Sequence, residues 1–207
     1  NASDRRMGEP GWVTWEDKYA IFIRRRLSCA AVASSRQLWQ LAPSNQGICE
    51  MSEIRFDVVG LGNAIVDVMS KTDDAFLEEW GIHKNAMNLI EEDRAEALTK
   101  AAVDPFYTSG GSGANTIAGL ASFGARAAYI GKVSKDELGS QFTREMTASG
   151  VPFATKPLES GPATARSIIF VTEDGARSMN TFLGASVLFS KDDVDENTVR
   201  AGGILYL

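Results

Sequence analysis

One stretch of the chain that could do chemistry is "GLGNAIVDV", residues 60–68, in which Asn63 and Asp67 stand four residues apart. Asp67 is the only acid in the apolar run from Val58 to Met69. A buried acid needs a hydrogen-bonding partner, because burial without one costs free energy. A carboxylate can accept two hydroxyl protons at once, and such charge-assisted bonds are about twice as strong as neutral ones. The vicinal hydroxyls of a sugar would satisfy this group.

A second such stretch is "SGGSGAN", residues 109–115, in front of a predicted helix. Gly110 and Gly111 allow either a tight turn or a close approach of the backbone to a ligand. The helix start offers free N–H groups, Ser112 adds a hydroxyl, and Asn115 is both donor and acceptor. We therefore predict that a sugar lies against this glycine-rich backbone.

Structural roles compete with this interpretation. Asp67 could instead cap the end of a strand or pair with a lysine. Asn115 could hydrogen-bond its own turn. The sequence leaves both alternatives open.

Two common nucleotide-binding motifs are absent. Gly60-Leu61-Gly62 begins like the dinucleotide fingerprint G-x-G-x-x-G, but Ile65 occupies the last position and the chain continues as a strand. Gly131-Lys132 does not form a P-loop, because Arg126 stands where the first glycine belongs and Val133 follows the lysine.

Composition restricts the class of protein. The chain has 207 residues and a net charge of −6, which argues against a nucleic-acid surface. Its short apolar run "YAIFI" cannot span a membrane. Cys29 and Cys49 are the only cysteines and His83 is the only histidine. No metal-ligand spacing occurs, and the cysteine-free remainder of the chain favours a reducing, cytoplasmic location.

The chain divides into two unequal pieces. Residues 1–50 have no sustained period and are predicted to be an irregular appendage outside the fold, with Met51 as a natural chain start. From Met51, strands and helices alternate, which predicts an α/β fold with a mainly parallel sheet. Strands are predicted at 56–62, 64–70, 126–133 and 203–207, helices at 73–81, 91–103, 114–124, 135–150 and 190–202, and a hairpin at 165–183. The strand at 203–207 is apolar enough to be buried on both faces.

From Phe56 to Leu207 the chain resembles the ribokinase-like, or PfkB, family of carbohydrate kinases. The resemblance rests on Gly110-Gly111, Asn115, Gly124 and the segment "GKVSKDELG" at 131–139. Ile117 and Ser134 depart from the family pattern. Within the family, the spacing of Asn63 and Asp67 and the run "TEDGARSMNTFLGAS" at 172–186 resemble adenosine kinase-like members.

This resemblance implies a ribokinase-like domain over residues 51–207, with a small β-sheet lid formed near 64–72 and 163–183. It also implies that the lid covers the sugar and could make a homodimer contact. The implied substrate-binding residues are Asn63, Asp67, Gly110, Gly111, Ser112 and Asn115. Phe182 and Leu183 are candidates for the lining of a purine pocket.

The family also implies ATP and Mg²⁺, with a catalytic aspartate in a "GAGD" segment. No such segment occurs in this chain, so the catalytic and nucleotide side is expected outside it. The chain alone is then predicted to be an inactive N-terminal part of an adenosine kinase-like enzyme. Two alternatives remain: a kinase for a free sugar such as ribose, fructose or a ketodeoxy acid, and a non-catalytic truncated product.

Overall fold

A computed structural model of the protein describes residues 54–207, and the predicted appendage and chain start lie outside these residues. The strands are β1 Phe56–Leu61, β2 Ile65–Lys71, β3 Met87–Leu89, β4 Phe106–Gly110, β5 Ala127–Ile130, β6 Ala165–Val171, β7 Arg177–Phe182 and β8 Gly202–Tyr206. The α-helices are α1 Asp74–Glu79, α2 Glu92–Ala101, α3 Ser112–Ser122, α4 Glu137–Ala148 and α5 Glu196–Arg200. Two short 3₁₀ helices cover Gly184–Leu188 and Lys191–Asp193.

The strands form two sheets. The main sheet has the order β5-β1-β8, and both of its pairings are parallel. The lid sheet has the order β3-β7-β6-β2-β4 and mixes parallel and antiparallel pairs. The α/β class is confirmed, and β2, β6 and β7, which fall within the ranges 64–72 and 163–183, share one sheet. That these ranges form the cover of a sugar site stays a prediction. In the described part of the chain, however, the lid sheet has more strands than the main sheet, because β3 and β4 join it.

The main sheet is covered on both faces. Alternate side chains of a strand point to opposite faces. Accordingly, Val58 and Tyr129 pack against α3 and α4, whereas Val59 and Ile130 pack on the opposite side with Val199 of α5. This explains why β1 and β5 read as nearly continuous apolar runs.

The lid sheet is covered by helices on one face. There α1 and α2 bury Leu77 and Leu98 against Ile168 and Phe170 of β6. Val68 of β2 also packs on this helix-covered face. Because successive side chains of a strand point to opposite faces, Asp67 lies on the other face of β2. The lid sheet therefore presents a helix-free face that carries the predicted site residue.

The segment at 131–139 forms hydrogen bonds that connect the main domain to the lid sheet. The Asp136 carboxylate accepts hydrogen bonds from the Gly139 N–H that starts α4 and from the Thr164 N–H just before β6, both at 2.8 Å. A Cβ on Gly139 would lie 2.2 Å from the Ser134 carbonyl oxygen. This part of the family signature thus has a structural role here.

The C-terminal part differs from the sequence prediction in one way. The helix predicted at 190–202 is split into the 3₁₀ turn Lys191–Asp193 and α5, because Asp195 forms a new N-cap for α5. In the described part of the chain β8 lies at an edge of the main sheet and Ile204 is 45% exposed, so burial of this strand on both faces stays a prediction for the complete protein. Among residues 54–207 no helix is both long and apolar enough to cross a membrane.

Candidate functional site

The glycine-rich helix start borders a cavity of about 200 Å³ at the carboxyl ends of β1 and β8. Asn63, Gly111 and Ser112 line it, together with Leu61, Gly62, Ile65, Gly113, Tyr206 and Leu207. Ligands of α/β proteins bind at this end of parallel strands. Three of the six predicted site residues therefore meet at one cavity, and Gly110 adjoins it in sequence.

Asp67 does not line this cavity but lies on β2 of the lid sheet, two residues along the strand from Ile65, which does. It sits between Thr108 of β4 and Ser167 of β6 in the register of the sheet. The carboxylate is partly buried and has no hydrogen-bond or ion-pair partner among residues 54–207. Burial raises the pKa of Asp67 from its ordinary 3.8 to about 6. Neither a lysine nor a strand-capping contact holds this acid in the described part of the chain.

Gly110 makes room for the Asp67 carboxylate. A Cβ on Gly110 would lie 2.3 Å from the carboxylate carbon, which is closer than any real contact. We expected this glycine to make room for a sugar, and the structure places a protein group there instead. The cause is the antiparallel β2–β4 pair, in which Thr108 stands opposite Asp67 and Gly110 follows two residues later on the same face.

Gly111 is required by its backbone conformation. Its φ of 90° lies in the region that glycine tolerates and other residues avoid. In addition, a Cβ there would lie 2.9 Å from the Asn63 carbonyl oxygen. A tight turn and a close backbone approach thus coincide at this residue.

Tyr129, which the sequence analysis did not select, supports the loop that carries Asn63. Its buried hydroxyl donates a 3.0 Å hydrogen bond to the Asn63 carbonyl oxygen, and a Cβ on Gly62 would lie 2.8 Å from that hydroxyl. Burial raises the pKa of Tyr129, so the hydroxyl keeps the proton that it donates. The one feature of the sequence that could have identified Tyr129 is that it carries the single hydroxyl in the apolar strand β5.

The remaining predicted residues differ in placement. Ser112 is exposed at the start of α3 and lines the cavity, whereas Asn115 is exposed one turn later and does not line it. Phe182 packs in the helix-covered core of the lid, where the Arg166 guanidinium lies 5.5 Å from its ring. Phe182 is therefore on the face of the lid sheet opposite Asp67.

The helix-free face of the lid sheet carries two parallel rows of side chains. Residues paired in register share a face, as do residues two apart along a strand. The polar row is Thr108, Asp67, Ser167 and Thr181, and the Ser167 and Thr181 hydroxyl oxygens are 2.9 Å apart. The apolar row beside it is Phe106, Met69, Ile169, Met179 and Met87. The face thus combines a partly buried acid with an adjacent apolar strip.

Two further sites were tested for ligand chemistry. A larger cavity of about 400 Å³ lies between β5 and α5, but it contains none of the predicted residues and its Lys132 and Asp193 pair with each other. No cluster of three or more metal-ligating side chains occurs in residues 54–207.

Comparison with proteins of known sequence gives consistent matches. The family model for pfkB family carbohydrate kinases matches residues 76–207. Adenosine kinase 2 of Arabidopsis thaliana is 28% identical over 142 residues, which is 65% of this chain and 40% of that protein. The probable fructokinase-4 of the same plant is 25% identical over 99 residues, or 47% of this chain and 30% of that protein.

Solved structures extend the comparison. Adenosine kinase from Sinorhizobium meliloti is 55% identical with a TM-score of 0.67, and the match covers 72% of this chain and 45% of that one. A probable sugar kinase from Rhizobium etli CFN 42 is 50% identical with a TM-score of 0.68 and the same two coverages. The chain thus spans less than half the length of the proteins that it matches. Given the match over residues 76–207, the chain belongs to the pfkB family of carbohydrate kinases.

Proposed function

We propose that this chain forms the substrate-binding part of an ATP-dependent kinase that phosphorylates the primary hydroxyl of a nucleoside such as adenosine. The observation that carries the proposal is the Asp67 carboxylate beside the apolar row on the helix-free lid face. This carboxylate has no hydrogen-bond or ion-pair partner among residues 54–207. The similar Sinorhizobium meliloti protein is an adenosine kinase by name, which agrees with this assignment.

Asp67 would accept hydrogen bonds from the two vicinal ribose hydroxyls. These donors replace the hydrogen bonds to water that burial has removed from the carboxylate, so the bound state would satisfy a group that has no partner among residues 54–207. Asn63, Gly111 and Ser112 would contact the sugar from the cavity side. Asn115 lies one turn further along α3 and would contribute least.

The apolar row favours a nucleoside over a free sugar. Neighbouring rows on one sheet face are about 6.5–7 Å apart. A heterocyclic base attached to a ribose held at Asp67 would reach the strip formed by Met69, Ile169 and Met179. Burial of a flat base there removes apolar area from water, which a free sugar cannot do.

A free-sugar kinase is the second candidate. The polar row alone suffices to bind a diol, and the similarity to a probable fructokinase supports it. The two candidates differ in whether the apolar row contributes to substrate affinity.

ATP and Mg²⁺ are proposed as co-substrates of the complete enzyme, as in the family. Mg²⁺ bound with ATP would neutralise the negative charge on the phosphoryl group that is transferred. The base that takes the acceptor proton, and the nucleotide site, are proposed to lie outside residues 54–207. We further propose a cytoplasmic location and a homodimer contact through the lid sheet.

The test is phosphorylation of adenosine, ribose and fructose by the complete gene product. We expect the highest kcat/KM for adenosine. Met179→Lys should raise the KM for adenosine about tenfold while leaving that for ribose nearly unchanged, since a charge would disrupt only the base contact. Leu120→Lys, an exposed change on α3, is the control. Higher kcat/KM for ribose or fructose would reject the nucleoside assignment.

A further inference from the structure

Glu145 connects a helix of the main domain to the edge of the lid sheet. It lies on α4, whose Phe142 and Met146 pack in the core of the main domain. Its Oε2 accepts hydrogen bonds from the Ser109 N–H and, at 3.4 Å, from the Thr108 hydroxyl of β4. Its Oε1 accepts a 2.8 Å bond from the Gln141 side-chain amide one turn earlier. Both carboxylate oxygens are therefore occupied.

The contact with Ser109 provides an acceptor for a backbone N–H group at the edge of a sheet. In the described part of the chain β4 is the last strand of the lid sheet, so its outward N–H groups have no neighbouring strand to bond there. Glu145 supplies one acceptor at this edge. Its hydrogen bonds outweigh the effect of burial and lower the pKa of Glu145, which keeps the acceptor ionised at neutral pH.

The strand that Glu145 holds is the one that shapes the surroundings of Asp67. Thr108 stands directly opposite Asp67 in the β2–β4 pair. The residue after Ser109 is Gly110, whose α-carbon packs against the Asp67 carboxylate. A shift of β4 would therefore move both Thr108 and Gly110 relative to this carboxylate.

We infer that Glu145 is a positioning residue for substrate binding, which acts by holding β4, and hence Thr108 and Gly110, against the Asp67 carboxylate. It touches β4 and not the substrate. This inference rests on the proposed function, because it assumes that Asp67 binds the sugar hydroxyls. It adds a long-range determinant on α4 to the site at β2 and α3.

The experiment compares Glu145→Ala, Glu145→Gln and the control Arg144→Ala, an exposed neighbour on α4, in the complete gene product. Glu145→Ala should raise the KM for the nucleoside roughly tenfold, with kcat and the KM for ATP within about twofold. Glu145→Gln should restore most of the affinity, because the amide oxygen still accepts from the Ser109 N–H. Arg144→Ala should behave as wild type.

A double-mutant cycle with Asp67→Asn separates positioning from a general structural role. If Glu145 acts through Asp67, then Glu145→Ala should change the nucleoside KM less than about twofold in the Asp67→Asn background. An equal effect in both backgrounds, or parallel changes in KM for nucleoside and ATP, would overturn the inference while leaving the proposed function intact. Absence of phosphorylation of any nucleoside or sugar by the wild type would instead reject the proposed function, and this inference with it.

Discussion

Two aspartates that are largely withdrawn from water have opposite surroundings in this protein. Asp193 pairs with Lys132, and the side chains are only 10% and 11% exposed. It also accepts a 2.9 Å hydrogen bond from the Ser190 N–H, and these contacts outweigh burial and lower its pKa. Asp67 has no such partner among residues 54–207, and burial raises its pKa to about 6.

The difference separates an acid whose carboxylate is satisfied within the described fold from one that is available to the donors of a ligand. Lys132 and Ser190 satisfy Asp193, although the cavity that it lines has twice the volume of the cavity beside Asn63. The Asp67 carboxylate has no such partner among residues 54–207, and groups with such shifted pKa values are concentrated at functional sites. We therefore base the proposed site on the unsatisfied carboxylate rather than on cavity size.

The largest effect is expected from breaking the structural pair. Asp193→Ala leaves the Lys132 ammonium without its partner in a nearly buried position, and breaking a buried pair in this way costs about 3–5 kcal/mol. The free energy of unfolding, measured by urea titration, should fall by about this amount. A decrease below about 1 kcal/mol would show that solvent reaches the pair and that Asp193 is no contrast to Asp67.

The matched control replaces both partners. Lys132→Met combined with Asp193→Leu removes both charges and fills similar volume, which is often neutral or stabilising for a buried pair. We expect this double variant to unfold within about 1 kcal/mol of wild type. If the double variant lost as much free energy of unfolding as Asp193→Ala, the two charges would have to stabilise the fold through contacts other than their own pair.

Asp67→Ala should affect function rather than stability. Removal of the charged acceptor of the substrate hydroxyls should lower kcat/KM by about ten- to a hundredfold, through a higher KM and a lower kcat. The free energy of unfolding should stay the same or rise, because no hydrogen bond or ion pair among the described residues is lost. Steady-state kinetics and urea titration of the complete gene product measure the two. Unchanged kinetics would remove Asp67 from the site.

Gly110→Ala should act through the same carboxylate and somewhat more weakly. The new Cβ would lie 2.3 Å from the Asp67 carboxylate carbon, so this side chain must turn away from its position. We expect kcat/KM to fall about tenfold in the wild-type background. In the Asp67→Ala background the same change should cost less than about twofold, because the clash is gone. Equal losses in both backgrounds would show that Gly110 contacts the substrate directly.

Local patterns in the sequence predicted much of this architecture. Helix α3 and the β6–β7 hairpin came from periodicity and from the turn at Glu173-Asp174-Gly175, where Gly175 has φ of 80°. The glycine-rich start of α3 was recognised from its composition, whereas the approach of a sugar to this backbone stays a prediction. These features depend on neighbours within a few residues, which is why the sequence alone reveals them.

Features that depend on distant pairing were missed. β4 was not recognised as a strand because FYTSG shows neither alternation nor a uniformly apolar run, and it pairs with the distant strand β2. As a result, nothing in the sequence indicated that the Asp67 carboxylate fills the space beside Gly110. Glu145 and Tyr129 were missed for the same reason, since each acts on a backbone atom far away in the chain.

The pKa of Asp67 predicts a further contrast with Asp193. A carboxyl group whose pKa is raised on folding holds its proton more tightly in the folded state. Its contribution to stability is therefore present below the ordinary pKa of 3.8 and is lost as the pH rises through about 6. The lowered pKa of Asp193 has the opposite sign, since its contribution is present above the ordinary pKa and is lost in acid.

Substrate affinity should follow the ionisation of Asp67, because only the carboxylate accepts from both hydroxyls. With a pKa of about 6 in the free protein, kcat/KM for the nucleoside should rise several-fold between about pH 5 and 7, with its midpoint near 6. Asp67→Asn removes the ionising group, so the ratio of wild-type to variant kcat/KM isolates this step from other titrations. The ratio should increase with pH and level off above about 7. A ratio that is flat from about pH 5 to 7 would mean that donors within the complete protein already hold the carboxylate ionised, and that Asp67 resembles Asp193 after all.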